Sequence, residues 1–198
     1  MKYNPNIHHR RSIRLKGYDY SQAGLYFITI CVQDRKHLFG KIENKKMILN
    51  DFGIIAYQQW QKLSEHFPNF ELDVFQIMPN HIHGIVALTE SVGATLAVTP
   101  NDNPVTPNDN PVADETRATA RVAPTKSKTV GNIVGTYKSL VANGCLEQFK
   151  LKNPNEIMGK LWQRNYHEHI IRDEQSYQHI SDYIINNPKN WMDDKFYE

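Results

Sequence analysis

The chain has few cysteines, little net charge and no long apolar run, and each shortage excludes a class of protein. Its two cysteines, Cys31 and Cys145, lie far apart. They frame neither a disulfide scaffold nor a zinc knuckle, and they suit a reducing cytoplasm, the expected location. A formal charge of +2 over 198 residues is no global polycation signature, so an anionic partner would have to be met by a local cluster. No apolar run reaches the length of a membrane span. The first residues also lack the apolar core of a signal peptide, so no membrane partner is expected. Aromatic residues, by contrast, are plentiful at 11% of a polar chain. The length suits one domain, residues 1–198, with a sizeable core.

The stretch Met78-Pro79-Asn80-His81-Ile82-His83-Gly84-Ile85-Val86 organises the rest. A Pro-Asn turn signal precedes two histidines separated by one isoleucine, and an apolar run follows. Strand side chains alternate faces, so His81 and His83 point one way and Ile82 the other. Two imidazoles about 7 Å apart on one strand face can converge on one metal ion. A bare His-x-His is more often two incidental strand residues, so the other elements have to decide.

In chain order, Leu25–Val32 reads as a strand buried on both faces. Leu38–Ile42 reads as a second strand, hairpin-paired with the first. Asn50 or Asp51 caps a helix to about Glu65, with Ile54, Tyr57, Trp60 and Leu63 as its apolar stripe. Glu71–Ile77 alternates polar and apolar residues as a third strand, and His81 to about Leu88 is the fourth. Thr129 caps a second helix, closed at Gly144. Leu161–Ile171 is a fifth extended segment, and Asp173 or Glu174 opens a last helix that Pro188 ends. The order predicts an α+β fold with a largely antiparallel sheet and helices packed on it. Between them, Thr99-Pro100-Asn101-Asp102-Asn103-Pro104-Val105 recurs as Thr106–Val112. Proline and Asn-Asp pairs disfavour regular elements, so about 90–128 reads as a flexible insertion whose role is spacing.

In the last helix Tyr183 and Asn187 are four residues apart and share a face. An amide oxygen can join two imidazoles around a hard divalent ion such as Mg²⁺ or Mn²⁺, leaving positions for phosphate and water. A phenol beside that ion could attack phosphorus. The pair alone is weak, since Tyr57 and Gln61 share the spacing. His167-Glu168-His169 beside Tyr166 is a competing His-x-His. A water-activating metallohydrolase would need further acidic ligands at strand ends, and the sequence offers no convincing set.

These segments resemble one family along nearly the whole chain outside the repeat insertion. Arg11–Leu15, Tyr26–Cys31, Met78–Gly84, Val130–Ser139, Leu161–Tyr166, His169–Arg172 and Asp182–Pro188 are similar to the Y1 HUH transposases of the IS200/IS605 type. The similarity is greatest to the REP-associated tyrosine transposases. The resemblance implies a ferredoxin-like HUH nuclease core, with His81 and His83 as metal ligands, Asn187 as the third ligand and Tyr183 as the catalytic tyrosine. It implies metal-dependent cleavage and rejoining of single-stranded DNA at hairpins through a 5′-phosphotyrosine intermediate. An alternative is a catalytically silent, domesticated protein that binds DNA hairpins. Arg10, Arg11, Arg14 and Lys16 form a basic arm suited to DNA phosphates or, more plainly, a solvated N-terminus. Lys138 and His169 are further candidate DNA contacts. Monomer and homodimer both stay open, because related enzymes differ in whether the tyrosine helix serves its own or a partner's metal site.

Overall fold

The computed structural model describes residues 14, 15, 17–90 and 128–197. β1 (Gly24–Cys31) is the spine, and its neighbours pair with it along its length. After it come β2 (Gly40–Glu43), β3 (Lys46–Leu49), α1 (Asp51–Gln61), α2 (Leu63–His66), β4 (Phe70–Ile77) and β5 (His81–Leu88). Then follow α3 (Val130–Lys152), β6 (His167–Ile171) and α4 (Glu174–Asn186), with a 3₁₀ turn at Trp191–Asp193. The main sheet runs β4-β5-β1-β6, with every neighbouring pair antiparallel. Counting β1, α1, β4, β5, α3 and β6 gives β-α-β-β-α-β with the first strand between the third and fourth. That is the ferredoxin-like arrangement.

Alternation along the strands separates two cores. Tyr26, Ile28, Ile30, Ile82 and Val86 face α1 and α3, where they meet Trp60, Ile133, Tyr137 and Val141. Leu25, Phe27 and Ile85 face the other way, under Ile180 and Ile184 of α4. Gly84 is required in the first core. A Cβ there would lie 2.5 Å from the Trp60 indole, which also stacks on Phe75 at 5.4 Å. The helix starts follow from their caps. Asn50 accepts from Gly53 N in α1. Thr129 and Asn132 form a reciprocal capping box at α3, and Asp173 accepts from Ser176 N in α4.

Four expectations need correction. The second strand pairs with β3, not with β1. Asn44 and Lys45 take φ of 50° and 62°, the left-handed conformation that closes a tight hairpin apart from the main sheet. The first helix breaks at Lys62 rather than running unbroken to Glu65. Gly144 does not end α3, which continues to Lys152. It lies where α3 crosses α1, and a Cβ there would be 2.9 Å from Ile55. Cys145 is therefore inside a helix and buried. The fifth extended segment is regular only at β6, with Trp162 making a single bridge to Val32. The Thr99–Val112 repeat falls outside the described residues. Its flanks are held together: Thr89 N donates to Asn69 O at 3.0 Å, and Asn69 Nδ2 donates to Lys128 O at 3.2 Å.

Candidate active site

Strand alternation brings His81 and His83 to the α4 side of the sheet, at the end of β5 that follows Pro79-Asn80. Both rings are fully buried, and their centroids are 4.4 Å apart. Each is held through Nδ1. The Asn80 carboxamide oxygen is 2.8 Å from His81 Nδ1, and the Thr29 hydroxyl is 2.8 Å from His83 Nδ1. An amide oxygen only accepts, so His81 carries its hydrogen on Nδ1 and turns a bare Nε2 lone pair into the site. Burial pushes the His81 pKa down to about 3, and the nearby charges of Lys195 and Arg35 act in the same direction. Burial and the neighbouring His81 hold His83 well below its ordinary value.

α4 brings Tyr183 and Asn187 to the same place, because Tyr177, Ile180 and Ile184 fix its other flank against the sheet. The Tyr183 oxygen is 3.2 Å from His83 Nε2, and its ring meets Phe27 edge-on at 6.2 Å. Asn187, the C-cap residue of α4, is 1% exposed. Beyond it the chain turns back through Lys189 N to Asn186 O and Asn190 N to Asn187 O. That turn delivers Asp194, which the sequence reading did not single out. Asp194 Oδ2 accepts from the Tyr183 hydroxyl at 3.0 Å and from Asn187 Nδ2 at 2.5 Å. Burial, followed by the Asp194 charge, pushes the Tyr183 pKa up. Phe196 and Trp191 lie on His81, with centroids 4.5 Å and 5.9 Å away.

Two acceptor atoms here are buried without a hydrogen-bond partner, His81 Nε2 and Asn187 Oδ1. Leaving such an atom unpaired costs about 1–3 kcal/mol, and a cation between them would offset that cost. Ligand atoms of His81, His83 and Asp194 lie within 4.8 Å of one another, the one such trio among the described residues. The donor set of imidazole, amide and carboxylate therefore fits a hard or borderline divalent ion. An acidic pair, Asp193-Asp194, just past the tyrosine helix was the available signal for the missed residue.

Arg10, Arg11 and Lys16 fall outside the described residues. Arg14 donates to the Tyr166 hydroxyl at 2.8 Å and lies over that ring. Glu168 is opposite Ile28 in the sheet register, so Tyr166, Arg14 and Glu168 belong to the α3 side, away from the histidine pair. Lys138 is half-buried, and its ammonium donates to the Gln163, Arg164 and Asn165 carbonyls at 2.6, 3.4 and 3.3 Å. It clamps that loop. His167 and His169 are exposed on the α4 side of β6.

No family model matches the chain. It is 42% identical to an uncharacterized Haemophilus influenzae protein over 99% of this chain and 97% of that one. It is 28% identical to a candidate REP-associated tyrosine transposase of the same species, over 86% of this chain and 73% of the other. Among solved structures, a REP-associated tyrosine transposase bound to a REP hairpin superposes with TM-score 0.46 at 18% identity. The match covers 90% of this chain and 74% of that one. A candidate transposase of Deinococcus radiodurans gives 0.44 at 14% identity, covering 87% and 95%. The ferredoxin-like arrangement rests on the strand order β4-β5-β1-β6. No helix among the described residues is long and apolar enough to cross a membrane. The sequence relationship over most of both chains thus makes this protein a relative of a candidate REP-associated tyrosine transposase.

Proposed function

We propose that the protein nicks and rejoins single-stranded DNA beside hairpins, with Tyr183 as nucleophile. The observation that carries the reading is the pair of orphaned acceptors, His81 Nε2 and Asn187 Oδ1, one turn of α4 from a phenol on His83. His81, His83 and Asn187 would hold the divalent ion, Mg²⁺ or Mn²⁺, with the Asp194 carboxylate also within reach. When bound, that ion supplies Lewis-acid polarisation of a phosphate oxygen.

The chain's own residues do the rest. Asn80 and Thr29 orient the two imidazoles. Tyr183 loses its proton as its oxygen bonds phosphorus. The bond to the 3′ oxygen breaks, and that oxygen leaves as a 3′-OH. The downstream strand stays on Tyr183 as a 5′-phosphotyrosine. A later 3′-OH attacks it, restoring the phosphodiester and the free phenol, so no nucleoside triphosphate is consumed. The site's raised tyrosine pKa makes the phenolate costly until a cation is near, which favours chemistry only in the loaded site.

The test is a hairpin oligonucleotide with single-stranded flanks, labelled at the 5′ or the 3′ end and incubated with Mg²⁺ or Mn²⁺. The expected product is a covalent adduct that retains only the 3′ label and is absent in Tyr183→Phe. An adduct that survives Tyr183→Phe and vanishes in Tyr166→Phe would refute the assignment. A second reading, a silent hairpin-binding regulator, is favoured by the aromatic cover over two fully buried histidines. It predicts hairpin binding with no adduct under either metal.

A further inference from the structure

The two-stranded ribbon β2–β3 has no part in the nicking chemistry, yet it stands at the rim of the site. It pairs with no strand of the main sheet. Its base is fixed. Phe39 N donates to Pro79 O at 3.1 Å, and Asn50 N donates to Phe39 O at 3.1 Å. Pro79 lies two residues before His81. Gly40, the first residue of the ribbon, takes φ of 137°, a conformation open to glycine. A Cβ there would lie 2.1 Å from Ile48 O. On the inner face, Ile42 packs on the cluster of Cys31, Met78, Trp191 and Phe196. Trp191 in turn lies on His81, so one layer of side chains separates ribbon and site.

The outer face and the tip are basic. Strand alternation turns Lys41, Glu43, Lys46 and Ile48 outward, and all four are exposed. Lys41 pairs with Glu43 at 2.6 Å, so the acid's charge is met within the ribbon. Asn44 and Lys45 close the tip in two residues through left-handed φ. The side chains of Asn44, Lys45 and Lys46 are exposed and make no hydrogen bond or ion pair among the described residues. Residues 33–49 hold five lysines or arginines against two acids, a larger surplus than the whole chain's +2. Four residues per strand give a prong about 13 Å long. The major groove of a duplex, about 12 Å wide, admits such a ribbon. Lysine meets phosphates there, and asparagine matches the adenine edge. An unpaired strand is held by stacking on aromatic rings, and the outward face of the ribbon has none.

We propose that the β2–β3 ribbon is a duplex-reading prong whose Asn44-Lys45-Lys46 tip enters the major groove of the hairpin stem. Lys45 and Lys46 meet the phosphates that flank the groove, and Asn44 reaches a base edge. The fixed base at Pro79 sets how far the stem stands from Tyr183. The inference rests on the hairpin reading above. It names the element that tells a stem from a plain single strand.

The full-length chain is titrated, by anisotropy, with a hairpin oligonucleotide bearing single-stranded flanks and with the same flanks joined without the stem. The adduct is followed in parallel. Glycine accepts left-handed φ, so Asn44→Gly and Lys45→Gly keep the turn, and circular dichroism checks folding. Lys45→Gly combined with Lys46→Ala should weaken hairpin binding about tenfold and lower the slope of log affinity against log salt by about two. Binding to the stemless strand should not change. The parent should prefer an ordinary stem over one built with 7-deaza purines, which lack the major-groove N7 acceptor, and Asn44→Gly should erase that preference. The proposal is overturned if the double variant, folded, binds the hairpin as the parent does or loses the stemless strand equally. It is overturned too if the parent ignores the 7-deaza change or the preference survives Asn44→Gly. An adduct on Tyr183 with these variants silent leaves the nicking reading intact and removes the prong alone. A stem-specific loss with no adduct in any variant keeps the prong and removes the nicking.

Discussion

At the scale of the residue, the account turns on two neutral buried imidazoles. The His81 pKa is about 3 in the folded protein, against about 6.5 in an unfolded chain. Between those values the unfolded chain takes up a proton that the folded one refuses, so stability falls as pH falls. The expected loss is about 1.4 kcal/mol per pH unit for each such histidine. Urea midpoints of the metal-free protein should therefore drop between pH 6 and pH 5, and His81→Gln should make the drop shallower. A drop of equal steepness in that variant would contradict the buried neutral state. The partners of the rings matter for the same reason. Asn80→Ala and Thr29→Val leave every proposed ligand in place but release an Nδ1 contact. Each should weaken Mn²⁺ binding about 10–100-fold by calorimetry, whereas unchanged affinity would mean the rings are positioned by packing alone.

At the scale of the element, the site exists because a period-two strand and a period-3.6 helix each present one face. That much was legible in the sequence: His81 and His83 two apart, Tyr183 and Asn187 four apart, all brought to one side of the sheet. The tail was not legible. Trp191–Asp193 is a three-residue 3₁₀ turn, too short to show any period, so Asp194 and Phe196 carried no pattern to read. The β2–β3 pairing escaped for a related reason: its register is set by left-handed φ at Asn44 and Lys45, and of the two only asparagine favours that conformation, where an Asn-Gly pair would have marked the turn. Gly84 and Gly144 read as a strand residue and a helix stop, yet both are close approaches between elements. Gly84→Ala should force the Trp60 indole off β5 and cost about 1–3 kcal/mol, read as a lower urea midpoint. A midpoint equal to the parent's would show that the indole has room to shift.

At the scale of the whole molecule, the ferredoxin-like core joins distant parts of the sequence, so the placing of Thr29, His81, His83, Tyr183 and Asn187 side by side depends on the whole fold. We propose that the chain is one domain with an insertion at about 90–128. Its flanks meet at Asn69, so the core closes without what lies between. Excising Thr106–Val112, one copy of the repeat, should leave the melting temperature and adduct yield unchanged. A loss of either would give the repeat a role beyond spacing. The central claim is that one tyrosine, Tyr183, bonds the DNA. It is tested most directly by trapping the adduct on hairpin DNA with Mn²⁺, digesting it, and sequencing the nucleotide-bearing peptide by mass spectrometry. A 5′-phosphonucleotide on Tyr183 alone is expected; the same mass on Tyr166, or on any other residue, would contradict that assignment.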